Sequence, residues 1–151
     1  MSTPAIQPII KVRAAEPGDF SQIAELAGQL GYPSTAEEIA RRLAVIEKSS
    51  EQGVFVADSG DGRIAGWVGV FVQHTVESDA CVEISGLVVD ESCRSRGVGL
   101  RLLERAEHWA REKGCREVRL RSNVIRDRAH PFYERHGYEH FKTQKAFRKN
   151  L

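Results

Sequence analysis

Gly86-Leu87-Val88-Val89-Asp90-Glu91-Ser92-Cys93-Arg94-Ser95-Arg96-Gly97-Val98-Gly99 runs without a break into Leu100–Lys113. The stretch reads as an apolar strand, Leu87-Val88-Val89, then a turn rich in glycine and arginine, then a helix. Leu102, Leu103, Ala106, Trp109 and Ala110 recur at the spacing of one helix face. In the turn, Gly97 and Gly99 are expected to take positive φ and to let a ligand approach the backbone. The helix that follows presents unpaired N–H groups and the positive end of its dipole. A phosphate-bearing ligand matches that arrangement. An ordinary strand-to-helix loop, whose glycines only tighten the turn, matches it as well, and a single Gly-x-Gly does not separate the two.

Two familiar phosphate motifs do not fit. A P-loop ends in Gly-Lys-Ser/Thr, whereas Gly99 is followed by Leu100 and Arg101. A dinucleotide fingerprint needs a third small residue, and Leu102 stands there. What remains is Arg94-x-x-Gly97-x-Gly99 preceded by Val88-Val89-Asp90. A second block lies downstream, Ala129-His130-Pro131-Phe132-Tyr133-Glu134-Arg135-His136-Gly137-Tyr138. Together the blocks resemble the GNAT superfamily of acetyl-CoA-dependent N-acetyltransferases, the first its coenzyme-A pyrophosphate loop and the second its Ala-x-x-Phe-Tyr-Glu-x-x-Gly-Phe/Tyr segment.

The resemblance implies roles for particular residues. The main chain of Arg94, Ser95, Arg96, Gly97, Val98 and Gly99 would hold the pyrophosphate of acetyl-CoA. Leu87 and Val89 would pair with the pantetheine arm as an added strand does, and an amide near Val88 would face the thioester oxygen, where negative charge develops. Arg94, Arg96 and Arg101 supply positive charge, or are plain surface arginines. Tyr133 would protonate the departing thiolate; a phenol with a reference pKa of about 10 is already protonated at neutral pH. Its plain alternative is a packing role like that of Phe132. Many relatives carry an asparagine three residues before the motif alanine. Arg126 stands there, and Asn123 is the nearest asparagine.

A general base must take a proton from the acceptor ammonium before it attacks. Glu83, on the strand that resembles the carbonyl-binding strand, is the first candidate and His74 the second, although charged residues on strands commonly face solvent or form ion pairs. Arg119 and Arg121 share one face of a later strand and either line the acceptor side or pair with carboxylates such as Glu83. Cys81, Cys93 and Cys115 are odd in number and widely spaced, so they read as free thiols in a reducing, cytoplasmic setting. With no motif partner for any of them, direct attack of an amine is expected in preference to an acetyl-cysteine intermediate. No metal is called for.

The 151 residues suit one domain, 1–151, with 1–8 as a flexible extension. A net charge of +1 argues against a general nucleic-acid binder. No apolar run approaches a membrane span, and Met1–Pro8 does not read as a secretory leader. Along the chain, Ile9–Ala14 alternates as a first strand. Asp19 and Gln22 suggest a capping box for a helix carrying Phe20, Ile23, Leu26, Ala27 and Leu30. Ser34 or Thr35, with Glu37 or Glu38, caps a second helix bearing Ile39, Leu43 and Ile46. Strands follow at Gly53–Asp58, Arg63–His74 and Ala80–Val89, with a hairpin turn at Ser59–Gly62 and a bulge or bend at Ser85-Gly86. After the central helix come a strand holding Val118 and Leu120, a short helix at Arg128–His136, and a final strand or hairpin at Tyr138–Arg148.

The order βααβββαβαβ is an α/β chain with a mixed sheet and helices on both faces. The resemblance adds that two central strands splay apart to admit the coenzyme. The activity it implies is transfer of an acetyl group to a primary amine: a small amine, an aminoglycoside-like polyamine, an amino acid or a protein amino group. The alternative is a non-catalytic acyl-CoA-binding or sensor domain, against which Tyr133 argues. The C-terminal strand offers an edge that a homodimer can use.

Overall fold

Five short strands hydrogen-bond side by side in sequence order: β1 (Lys11–Ala14), β2 (Gln52–Asp58), β3 (Ile64–Gln73), β4 (Cys81–Val89) and β5 (Val118–Leu120). The first three junctions are antiparallel and the β4–β5 junction is parallel. This computed structural model describes residues 9–122 and 128–151. Its contacts form two units, one reaching to Arg121 and the other running from Ser122 to Leu151. Among the described residues no helix is long and apolar enough to cross a membrane.

Alternation along β2 assigns the two faces of the sheet. Val54 and Val56 join a core with Ile23, Ala24 and Leu26 of α1 (Phe20–Leu30) and Ile39 and Leu43 of α2 (Ala36–Glu47). Phe55, between them, points the other way and carries the Arg105 guanidinium of α3 (Val98–Glu112) over its ring at 4.2 Å. Leu102, Leu103 and Ala106 of α3 are fully buried. The sheet is thus covered by α1 and α2 on one side and α3 on the other, as the hydrophobic spacing predicts.

The Thr35–Glu38 capping box opens α2, each side chain meeting the other residue's backbone N–H at 3.1 Å. The box expected at Asp19 and Gln22 does not form. Asp19 is buried and accepts from Arg13 Nη1 at 2.7 Å, Arg13 Nη2 at 3.0 Å and the Glu16 N–H at 2.8 Å. Arg13 also reaches Asp58 at 3.0 Å. Gln22 crosses instead to the β2–β3 hairpin, donating to the Gly62 carbonyl at 2.9 Å and accepting from the Ile64 N–H at 2.7 Å. A bidentate, charge-assisted pair from the neighbouring strand outcompetes a neutral cap.

The expected irregularity at Ser85-Gly86 is a bulge: Gly69 pairs with Gly86 and Val70 with Ile84, leaving Ser85 as the extra residue. β5 pairs only with Val82–Ile84. Beyond the bulge, Leu87–Val89 therefore run on past β5 with no strand partner on that side among the described residues.

In the second unit, α4 (Ala129–Arg135) holds Pro131 in its first turn, where the missing N–H costs nothing. The final strand expected at Tyr138–Arg148 is absent: residues 138–151 form neither helix nor strand. Its unit contains one helix and no other strand among the described residues, and a single strand leaves its backbone groups without a ladder. Phe141, Phe147 and Leu151 stay exposed. The edge expected to serve a homodimer is not formed either.

Candidate active site

The turn between β4 and α3 is built by its own polar groups. The Asp90 N–H donates to the Ala65 carbonyl at 2.7 Å, which ties the end of β4 to β3. The Asp90 carboxylate accepts from the Ser92 N–H at 3.1 Å and opens a single 3-10 turn, Glu91–Cys93. That hydrogen bond holds the Asp90 carboxyl below the usual carboxylate range. Gln29 of α1 accepts from the Glu91 N–H at 3.1 Å.

The chain then takes left-handed φ twice, at Ser95 (+66°) and at Gly97 (+79°). Gly97 is the expected position. Gly99 is not: it lies inside the first turn of α3 with helical backbone and is absent from the positive-φ residues. Ser95 bears the second reversal, a non-glycine in a region that costs an L-residue energy, and no sequence signal distinguished it. No side chain caps α3. Its first N–H groups open onto a turn where Arg94, Ser95, Arg96 and Gly97 are all exposed, while Val98, 2% exposed, anchors the helix start in the core. This uncapped helix start, with exposed arginines just before it, follows directly on Leu87–Val89, whose β5-side edge has no strand partner among the described residues; a helix start of this kind favours an anion. Arg101, one turn on, lines a groove of about 530 Å³ with Lys11, Glu104 and His108, on the β1 side of α3.

Glu83 sits mid-strand in β4, in register with Phe71 of β3 and Arg119 of β5. It is 9% exposed, one of two buried charged side chains among the described residues. Arg121 Nε lies 3.1 Å from its Oε1. Arg119 pairs with Glu117. The structure thus brings Arg121 to Glu83, which is one of the two readings open from sequence. His74, the second base candidate, is exposed and bonded to Glu51 at 2.9 Å. Its imidazole sits beyond the end of β3, at the rim of the sheet.

Tyr133 belongs to the second unit. It lies in the middle of α4, half-buried, with Phe132 edge-on at 5.3 Å and Tyr138 at 6.1 Å between ring centroids. The Tyr138 N–H returns to the Tyr133 carbonyl at 3.0 Å, closing the helix. Asn123, and with it Arg126, lies outside the described residues.

Cys81 and Cys115 are buried. Burial pushes the Cys81 thiol above its ordinary value, the wrong direction for a nucleophile. Trp67 Nε1 is buried without a hydrogen-bond partner among the described residues, which sequence reasoning did not foresee. Its ring lies under Gly86, where an added Cβ would come within 3.0 Å of it.

Residues 20–138 match the family model described as Acetyltransferase (GNAT) family. An aminoglycoside N(6')-acetyltransferase type 1 of Stenotrophomonas maltophilia is 30% identical over 144 residues, covering 93% of each chain. A glucosamine 6-phosphate N-acetyltransferase of Trypanosoma brucei brucei is 31% identical over 145 residues, covering 89% of this chain and 92% of its own. Among solved structures, an aminoglycoside N-acetyltransferase in complex with CoA superposes with a TM-score of 0.83 at 20% identity, over 95% of this chain and 96% of its own.

Proposed function

Because the chain belongs to the GNAT family of acetyltransferases, we propose that it moves the acetyl group of acetyl-CoA to a primary amine by direct attack on the thioester. It is an N-acetyltransferase; the primary-amine acceptor and the roles of individual residues are the proposed part. One observation carries the reading. β4 runs past β5, its Leu87–Val89 edge without a strand partner on that side among the described residues, and leads through the Asp90–Gly97 turn to the uncapped N-terminus of α3. An extended amide-bearing arm matches that edge, and a pyrophosphate matches that helix start.

In this reading the amides of Arg94–Gly99 hold the pyrophosphate, with Gly97 giving the close approach. Leu87 and Val89 bind the pantetheine arm through their main chain, and an amide near Val88 receives the charge that builds on the thioester oxygen. Glu83 takes a proton from the incoming ammonium. The freed nitrogen lone pair bonds to the carbonyl carbon, the C–S bond breaks, and the thiolate takes its proton from the Tyr133 hydroxyl. The nitrogen sheds its second proton as the amide forms, and that proton, passed through solvent, restores the Tyr133 phenol. Asn123 is proposed as a further coenzyme contact.

The similar proteins are named for an aminoglycoside and for a sugar phosphate, so the acceptor class is open between a polycation and an amine bearing an anion. Thiol release from acetyl-CoA, measured with a panel of amines, tests the function. Amine-dependent release supports it. CoA binding with no release for any amine replaces it with a coenzyme-binding domain.

A further inference from the structure

Strand register places a set of charged groups on one face of the sheet. Residues paired across neighbouring strands project to the same side, so Phe71, Glu83 and Arg119 share a face. Trp67, four residues before Phe71 on β3, shares it too, and Trp67 packs against the α1–α2 core. Glu117 and Arg121, each two residues from Arg119, complete the row; the Glu117–Arg119 and Glu83–Arg121 contacts join its members. Beside α1 and α2, this face therefore presents two carboxylates and two guanidinium groups, with Glu117 against Arg119 and Glu83 against Arg121.

That balance bears on what the site can receive. The Glu83 carboxylate is nearly buried, while the Arg121 side chain is 73% exposed. When an ammonium arrives at Glu83, Arg121 is the partner able to turn away. A plain amine would take the carboxylate and leave the guanidinium without an anion. A polycation would bring further positive charge to a row whose guanidinium groups already equal its carboxylates in number. An amine carrying its own anionic group a few bonds away gives each protein charge a new partner, so that one ion pair is exchanged for two.

Building on the acetyltransferase reading of this site, we infer that the acceptor is a small amine bearing an oxyanion, a carboxylate or a phosphorus oxyanion, with its ammonium at Glu83 and its anion at Arg121. Arg121 is then a specificity-determining residue. A planar guanidinium recognises either oxyanion by two parallel N–H bonds, so both chemistries belong to the inference.

The test uses the full chain, acetyl-CoA and matched acceptors. 2-Aminoethylphosphonate, 2-aminoethyl phosphate and β-alanine are compared with ethanolamine and propylamine, and with an aminoglycoside. Thiol release is expected to show kcat/KM about 10–100-fold higher for at least one anionic amine than for its neutral counterparts, the span of one charge-assisted interaction. Arg121→Ala should narrow that preference mainly through KM, lowering the anionic amines further than the neutral ones while leaving CoA affinity unchanged. Arg121→Lys should restore part of it. Preference for the neutral amines or the aminoglycoside overturns the inference while leaving the acetyltransferase reading intact. So does an Arg121→Ala loss that is equal for every acceptor, which marks Arg121 as only a support for Glu83. Absence of release with every amine overturns the acetyltransferase reading itself, and this inference with it.

Discussion

Gly66 on β3 stands so close to Val88 on β4 that a Cβ added to it would lie 2.5 Å from the Val88 carbonyl oxygen. Leu102 Cδ1 of α3 would be 3.1 Å away on the same side. Sheet and helix are thus closed tightly around the strand proposed to receive the coenzyme. Gly66→Ala is expected to destabilise the protein by about 1–3 kcal/mol, the usual cost of overpacking. Because the obstacle is backbone, β4 must shift, and CoA affinity should fall as well. Thermal unfolding and calorimetric titration read the two effects. A variant with unchanged affinity would detach Val88 from the coenzyme site.

At Gly97 the physics is different. Nothing lies within 4 Å of an added Cβ, but φ is +79°. Gly97→Val should therefore cost only the conformational penalty, roughly 1–2 kcal/mol, while weakening CoA binding out of proportion to that loss. Titration of the folded variant with CoA is the check, and wild-type affinity would remove the turn from the pyrophosphate site.

Tyr133→Phe removes one oxygen and little volume. If the hydroxyl is the acid, kcat should fall by about 10²–10⁴-fold with the CoA dissociation constant unchanged. A thiolate is a fair leaving group without help, so the division between kcat and coenzyme affinity is a sharper reading than the size of the loss. Full kcat on the true acceptor would make Tyr133 a packing residue.

Glu83→Gln should likewise lower kcat and spare CoA affinity, since a base acts on the acceptor and not on the coenzyme. Steady-state kinetics beside a CoA titration separates these. Wild-type turnover in Glu83→Gln would transfer the base role to His74 or to water.

The Arg13–Asp19 pair gives a pH dependence of stability. The Arg13 hydrogen bonds hold the Asp19 carboxyl below its ordinary value. A carboxyl depressed on folding stabilises the protein above its unfolded pKa, about 3.9. That contribution is lost as pH falls through the lower folded value. Asp19→Asn should therefore cost about 1–3 kcal/mol near neutrality, tempered by Asp58, which keeps a contact to Arg13. Below pH 4 the difference from wild type should shrink, as acid denaturation curves of the two proteins would record.

Much of this molecule was set by local rules that the sequence states outright. The helical spacing of Phe20 to Leu30 and of Leu102 to Ala110, the Thr35–Glu38 box, the hairpin at Ser59–Gly62 and the bulge at Ser85 each depend on a handful of neighbouring residues, and each stands as expected. The Arg94–Gly99 and Ala129–Tyr138 motifs carried the family for the same reason: they are contiguous. Only the tertiary structure decided which distant groups meet. Parallel pairing of β4 with β5 puts Arg121 on Glu83, and β1 beside β2 delivers Arg13 to both Asp58 and Asp19. Register across strands, not spacing within one, creates these pairs. The backbone details followed the same division: Ser95 took the left-handed turn expected of Gly99, and residues 138–151 found no strand edge within their own unit. A strand needs a neighbour to satisfy its N–H and C=O groups, and a sequence pattern alone cannot supply one.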